Sequence, residues 1–225
     1  MFPTTGPVPQ NGLDRGLTRP AARLSTPPPD RPFPLENRLA ARGRSWHPLL
    51  MDVAELIRLQ NRGTRLKFLF FWGHRTPGPG YLSQWWPSPF TVDGTRYATA
   101  EHYMMAEKAR LFGDEESADA IVAASHPRRA KDLGRRVRDF DERTWRDNRV
   151  AIVTKGNEAK FAQNKELLDY LLGTRDRILV EASPLDRVWG IGMAADDPNA
   201  ENPSAWKGEN LLGFALMTAR DSLAR

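Results

Sequence analysis

Apolar positions in this chain fall into short blocks whose period changes several times. Between Pro48 and Gln60, Leu49, Leu50, Val53, Leu56 and Ile57 recur at helical spacing and predict a short amphipathic helix. Lys67-Phe-Leu-Phe-Phe-Trp72 is a continuous apolar run of strand length, ended by Gly73 and the turn-forming Thr76-Pro-Gly-Pro-Gly80. In Phe90-Thr-Val-Asp-Gly-Thr-Arg-Tyr97, Asp93-Gly94 sits between β-prone residues and predicts a hairpin. The spacing then becomes helical. Thr99 is placed to cap one helix, Asp114–Ala124 forms another, and Pro127 suits the first turn of a third. Asp141 can cap a long helix running through Trp145, Ile152, Ala159 and Leu168 toward Leu172. Arg177-Ile-Leu-Val180 predicts a short strand leading into a Glu181–Gly192 loop, and Asn210 can cap a last helix, Leu211–Leu223. There is no internal repeat. The pattern predicts an α+β fold: a mostly helical single domain with a small β-sheet, over residues 46–225.

Residues 1–45 break the pattern. Thr26-Pro-Pro-Pro-Asp-Arg-Pro-Phe-Pro34 favours an extended, unpaired backbone, so the segment reads as a disordered Pro/Arg-rich N-terminal extension. The first fifty residues hold ten of the eighteen prolines, and seven arginines against three acids. Since the whole chain has 33 basic and 28 acidic side chains, the remainder is nearly balanced. The high pI therefore belongs mainly to the extension, which argues against a large nucleic-acid-binding face on the domain. One basic patch, Arg128, Arg129, Lys131, Arg135, Arg136 and Arg138, reads first as a solvated helix face, with a weak nucleic-acid contact as the alternative.

With no cysteine, disulfides, thiolate nucleophiles and cysteine-ligated metals are excluded. His47, His74, His102 and His126 lack ligand spacing, so no metal site and no cofactor are expected. The first residues do not have the form of a signal peptide and no apolar run reaches membrane-spanning length, which makes the cytoplasm the expected location. The composition leaves the oligomeric state open.

Tyr97-Ala-Thr-Ala-Glu-His-Tyr-Met-Met-Ala-Glu-Lys-Ala-Arg-Leu-Phe112 holds the first candidate chemistry. As a helix it aligns Glu101, Met104, Met105, Lys108, Leu111 and Phe112 on one face, which should meet the core. A carboxylate and an ammonium on such a face cost several kcal/mol unless paired or used. A purely structural account also fits, with Glu101 favouring the helix dipole and Lys108 snorkelling from the edge. The Glu181–Gly192 loop holds the second. Asp186 and Trp189 lie between Pro184 and the glycines at 190 and 192, residues that fix an unusual backbone path and permit close approach to a ligand. An Asp capping a turn and a Trp plugging the core would leave the same pattern. Most of the seven tryptophans belong in a core, and one or two lining a pocket would offer flat walls to a heterocycle. Carboxylates, a lysine and aromatic walls suit cleavage of a ribosyl N-glycosidic bond, whose transition state is oxocarbenium-like.

Glu101-His-Tyr-Met-Met-Ala-Glu-Lys108 resembles the signature helix of the NADAR (YbiA-like) family. The resemblance continues in order through Lys131-Asp-Leu-Gly134, Phe140-Asp-Glu-Arg-Thr-Trp145, Gly156-Asn-Glu-Ala-Lys-Phe161, Gln163-Asn164, Leu179-Val-Glu-Ala-Ser-Pro-Leu-Asp186, Trp189-Gly-Ile-Gly192 and Trp206-Lys-Gly-Glu-Asn-Leu-Leu-Gly213. It covers the chain from about Phe70 to the C-terminus. It implies an N-glycosidase that cleaves ribosylaminopyrimidine phosphates, early riboflavin-pathway intermediates, and releases ribose 5-phosphate. Other members remove ADP-ribose from modified guanine. Carried over by motif, the catalytic residues are Glu101, Lys108 and Asp186, with Trp145, Trp189, Trp85, Ser83 and Gly73 binding substrate. One departure stands out: where the family usually has Ser-Asn-Phe, this chain has Ser83-Gln-Trp-Trp-Pro87, a longer amide and a bulkier ring at one wall. The implied partner is a small ribosyl phosphate or an ADP-ribosylated guanine. A reader of NAD or ADP-ribose without catalysis is a third function, disfavoured because Glu101, Lys108 and Asp186 are all present.

Overall fold

A computed structural model describes residues 51–225. The expected extension over residues 1–45, and the first three residues of the expected helix at Pro48–Gln60, lie outside the described residues. The helix itself, α1, runs Val53–Asn61, with Asp52 capping the Glu55 N–H at 2.7 Å. The remaining elements follow as β1 (Phe68–Phe71), β2 (Phe90–Val92), β3 (Thr95–Tyr97), α2 (Ala100–Leu111), α3 (Glu115–Val122), α4 (Pro127–Gly134), α5 (Glu142–Ala162), α6 (Lys165–Gly173), β4 (Ile178–Glu181) and α7 (Leu211–Leu223). Single 3₁₀ turns lie at Pro79–Leu82 and Pro203–Ala205. The architecture is α+β and mostly helical. The strands form two pairs: the β2–β3 hairpin, turned by Asp93-Gly94 with both residues at positive φ, and the parallel pair β1–β4.

Strands β1 and β4 run in register from Phe68↔Ile178 to Phe71↔Glu181. A two-stranded sheet has little stability of its own. This one is covered by α7, which packs on β4 and on the long helix α5. Asn210 makes the joint. It occupies the N-cap position of α7, as expected, but in a left-handed conformation (φ 53°) and with no side-chain bond to the helix. Its amide instead spans β4: Oδ1 accepts from Glu181 N–H at 3.0 Å and Nδ2 donates to Leu179 O at 3.0 Å. A strand end with unpaired groups wins the side chain that a helix end was expected to use.

Helix α2 is the centre of the domain, packed against α3, α4 and α5. It therefore departs from the expected single stripe. Ala100 to Ala106 and Ala109 are all buried, whereas Lys108, Leu111 and Phe112, expected on the core face, are only half-buried. Two glycines allow the close crossings. A Cβ at Gly156 would run into the Tyr103 ring, and one at Gly134 into Met105. Tyr103 in turn stands edge-on to Tyr97, with centroids 5.1 Å apart, beside Phe90, which ties the hairpin to α2.

The long helix expected from Asp141 toward Leu172 starts as expected, Asp141 accepting from Thr144 N–H at 2.7 Å, but breaks after Ala162. Two amides account for the break. Gln163 pairs with both backbone groups of Thr91, at 2.9 and 2.8 Å, and Asn164 donates to Lys160 O at 2.7 Å and to Pro89 O at 3.3 Å. The chain leaves the helix where its side chains dock on the hairpin.

Candidate active site

Six segments meet at one cleft. Its walls are Ser83, Gln84 and Trp85 after the first 3₁₀ turn, Glu101 and Met104 from α2, Lys131 from α4, Glu181 at the end of β4, Asp186 and Trp189 from the following loop, and Leu212 from α7. Of the residues singled out from sequence, Glu101, Asp186, Trp189, Trp85 and Ser83 are thus brought together.

Hydrogen bonds hold the Ser83–Trp85 segment, the start of α2 and the Asp186 loop in place. Thr99 caps α2 through His102 N–H, and Glu101 N–H donates to Gln84 O at 2.9 Å, sewing the helix start to the Ser83–Trp85 segment. Behind that segment lies Lys160, fully buried on α5, whose ammonium donates to Tyr81 O at 2.7 Å and Ser83 O at 2.8 Å. One turn earlier, Asn157 Nδ2 donates to Gln84 Oε1 at 3.0 Å. In the Glu181–Gly192 loop, Asp186 Oδ1 accepts from the N–H groups of Val188 and Trp189 at 2.9 and 2.8 Å. Asp186 does cap a turn, as the structural account had it, yet one carboxylate oxygen takes no part in that turn.

Electrostatics set this cleft apart. Glu101 is 2% exposed, and its Oε1 is enclosed without a hydrogen-bond partner. Burial pushes its carboxyl up to about 7; Lys131 opposes this most, then the Trp85 indole N–H, while Asp186 adds to it and Arg135 opposes. Glu181 Oε2 is likewise enclosed and unpartnered. Burial, reinforced by Asp186 and Glu101 and countered by Lys131, pushes Glu181 up to about 8. Three carboxyl groups and one ammonium therefore line the same cleft, and two of the acids resist ionising near neutrality.

Lys108, Trp145 and Gly73 lie elsewhere. Lys108 stands two turns from Glu101, about 10 Å along the axis. Its ammonium donates to Gly134 O at 2.9 Å and sits 4.1 Å from the Phe140 ring centroid and 5.7 Å from that of Trp145. Burial lowers its pKa, with Glu142 acting in the opposite sense. Trp145 is buried beside it. Gly73, at φ 80°, lines a second depression with Trp72, His74, Arg75 and Gly80; the His74 ring lies 5.5 Å from that of Trp85 and so joins the two hollows.

Sequence reasoning passed over Glu181 and Lys131, whereas Gln84, the longer amide expected at one wall, does line the cleft. Lys131 was counted in the basic patch. Glu181 did carry a signal: an acid closing the buried run Ile178–Val180, immediately before the Pro/Gly-bounded loop, has no ordinary place to put its charge. Among the described residues, no group of three or more His, Asp or Glu side chains is arranged to hold a metal ion.

The stretch of chain that carries these wall residues matches a known domain. A family model described as the NADAR domain matches residues 70–224. The chain belongs to the NADAR family. Every lining residue of the cleft falls inside the matched span, from Ser83 to Leu212. The chain is 42% identical over 162 residues to an N-glycosidase of Acanthamoeba polyphaga mimivirus, covering 69% of this chain and 95% of that protein. It is 32% identical over 144 residues to a riboflavin biosynthesis protein of Vibrio vulnificus, covering 64% of this chain and 35% of that one. The NADAR fold seen here also matches the NMR structure of the Escherichia coli protein YbiA, with a TM-score of 0.58 and 32% identity over 70% of this chain and 85% of that one. No described helix is long and apolar enough to cross a membrane.

Proposed function

We propose that this NADAR protein is an N-glycosidase that hydrolyses the bond between a ribosyl phosphate and an amino-heterocycle, with early riboflavin-pathway intermediates as the substrate class and ribose 5-phosphate as a product. The observation that carries this reading is the set of buried, unpartnered carboxyl oxygens on Glu101 and Glu181 beside Asp186, in a cleft with tryptophan walls. Similarity to an N-glycosidase and to a riboflavin biosynthesis protein supports it. In this reading the negative charge of Glu101 and Asp186 stabilises the oxocarbenium-like carbon, where a water-poor site makes each charge worth more than in solution. Trp189 and Trp85 flank the heterocycle. Lys131 and Arg135, both near enough to influence Glu101, supply positive charge for a phosphate.

Lys108 enters as a charged clamp. Lys108 lies outside the cleft with its ammonium on Gly134 O, so this role requires the substrate phosphate to reach beyond the carboxylates toward the Lys108 end of α2. Lys108→Ala is expected to weaken turnover and Lys108→Arg to restore part of it, with no borohydride-trapped adduct on the peptide that contains Lys108. A trapped adduct would assign Lys108 a covalent role instead. The substrate class is tested by incubating the protein with a ribosylaminopyrimidine phosphate and, separately, with an ADP-ribosylated guanine oligonucleotide. Mass spectrometry then follows release of ribose 5-phosphate or ADP-ribose. Release of ADP-ribose alone would replace the proposed substrate by the modified base.

A further inference from the structure

Glu101 and Asp186 account for charge at the glycosidic carbon. The nitrogen that leaves that carbon needs a proton, because an uncharged amino group departs poorly as an anion. Glu181 is placed to give one. It is the last residue of β4, where a glutamate would ordinarily swing to solvent. Here its backbone is pinned from both sides: its N–H donates to Asn210 Oδ1 at 3.0 Å, and its C=O accepts from Ile191 N–H at 2.9 Å. Gly190 presses on the same carbonyl so closely that a Cβ there would come within 2.7 Å of it. The side chain lines the same cleft as Glu101, with Oε2 enclosed and without a partner. An enclosed carboxylate without a hydrogen-bond partner costs more than a carboxylic acid in the same place. Two acids facing one another each disfavour the other's charge, so the pair holds a proton more readily than either residue alone.

We propose that Glu181 is a catalytic acid of this cleft, passing its carboxyl proton to the departing nitrogen while Glu101 takes the proton of the attacking water. This rests on the N-glycosidase reading. The C1′–N bond breaks, its electron pair stays on nitrogen, and nitrogen takes the proton from Glu181. Water adds through oxygen to C1′ and loses a proton to Glu101. The products are a heterocyclic amine and a free sugar. The pair ends with one proton, as it began, now on Glu101; its return to Glu181 resets the site. Burial pushes both carboxyls up from the ordinary carboxylate value, so the pair can hold the proton this step needs. The charged groups near the pair are Asp186 from the loop, Lys131 from α4 and Arg135 just after that helix, and α7 contributes the apolar Leu212. Activity is expected to rise with pH as Glu101 ionises and to fall at higher pH as Glu181 loses its proton.

The test compares two leaving groups on one sugar, an amino-heterocycle and 4-nitrophenol, each as the ribosyl 5-phosphate. The phenol leaves as a stable anion and needs no proton. Glu181→Gln is expected to lower kcat/KM for the amino-heterocycle on the order of a hundredfold to ten-thousandfold, to change the nitrophenyl substrate less than tenfold, and to abolish the alkaline limb. Equal losses on both substrates, or full activity on the amino-heterocycle, would overturn the assignment. The wild-type profile gives an independent reading: no alkaline limb with the amino-heterocycle also overturns it. Wild-type protein inert toward both substrates would overturn the hydrolase reading and this assignment together. That outcome is distinct from failure of Glu181 alone, in which wild type turns over and Glu181→Gln matches it.

Discussion

At the scale of single residues, the cleft separates side chains that look alike in sequence. Trp145 and Trp189 both sit in family motifs, but Trp145 is buried beside Phe140 and Lys108, while Trp189 is half-buried on the cleft wall. Trp145→Leu should therefore lower the melting temperature, because the smaller side chain leaves a cavity where the buried ring was, and leave the KM of the surviving enzyme nearly unchanged. Trp189→Leu should do the reverse, weakening substrate binding by roughly 1–3 kcal/mol with a small change in melting temperature. Thermal unfolding measured beside kinetics distinguishes them. Glu101→Gln should cut turnover by on the order of a hundredfold or more while keeping the fold, because the amide fills the same volume without the buried charge. Steady-state rates with a matching thermal melt provide the check.

At the scale of elements, function depends on how α5 holds a segment it does not belong to. Lys160 and Asn157, one turn apart, fasten Tyr81, Ser83 and Gln84, and Gln84 O receives the first-turn N–H of Glu101. The wall of the cleft and the start of α2 are thus registered to the central bundle through one buried amine. Burial alone pushes that amine down to about 7. The neutral form still carries two hydrogens, enough for both carbonyls, so the fastening survives deprotonation. Lys160→Met should leave two buried carbonyls unpaired, destabilise by about 2–4 kcal/mol and lower kcat more than it raises KM. Urea unfolding with kinetics checks this; an unchanged kcat in the folded variant would mean that the wall keeps its place without the lysine.

At the scale of the whole molecule, the buried ionisable groups give stability a pH dependence with two opposed parts. Glu101 and Glu181 bind protons up to about 7 and 8 when folded but release them near the ordinary carboxylate value when unfolded. Their contribution is complete at acid pH below the unfolded value and is lost as pH rises through 7 and 8, at up to about 3 kcal/mol for the fully buried Glu101. Lys160 acts the other way: its folded value lies below the unfolded one, so stability grows from about 7 toward the ordinary lysine value. Urea unfolding should show stability falling from pH 5 to neutrality. The Glu101→Gln, Glu181→Gln double variant should lose that fall and keep the alkaline rise.

Local order was legible in the chain because it depends on neighbours in sequence. The α+β class, the hairpin at Asp93-Gly94, the caps at Thr99 and Asp141 and the strand before the Glu181–Gly192 loop all rest on residues a few positions apart. The family, too, was readable from collinear motifs. What distant segments compete for was not legible. Asn210 left its helix for β4, Gln163 and Asn164 ended a helix to meet the hairpin, and the first two turns of α2 became buried on every side because three helices enclose it. The same holds for the site. Glu101 and Asp186 could be singled out as charges in costly places, but Glu181 and Lys131 became their neighbours only when β4 and α4 packed against α2 and its flanking loops. A side chain's hydrogen-bonding chemistry is local; which groups are left buried without a partner is decided by the packing of the whole chain.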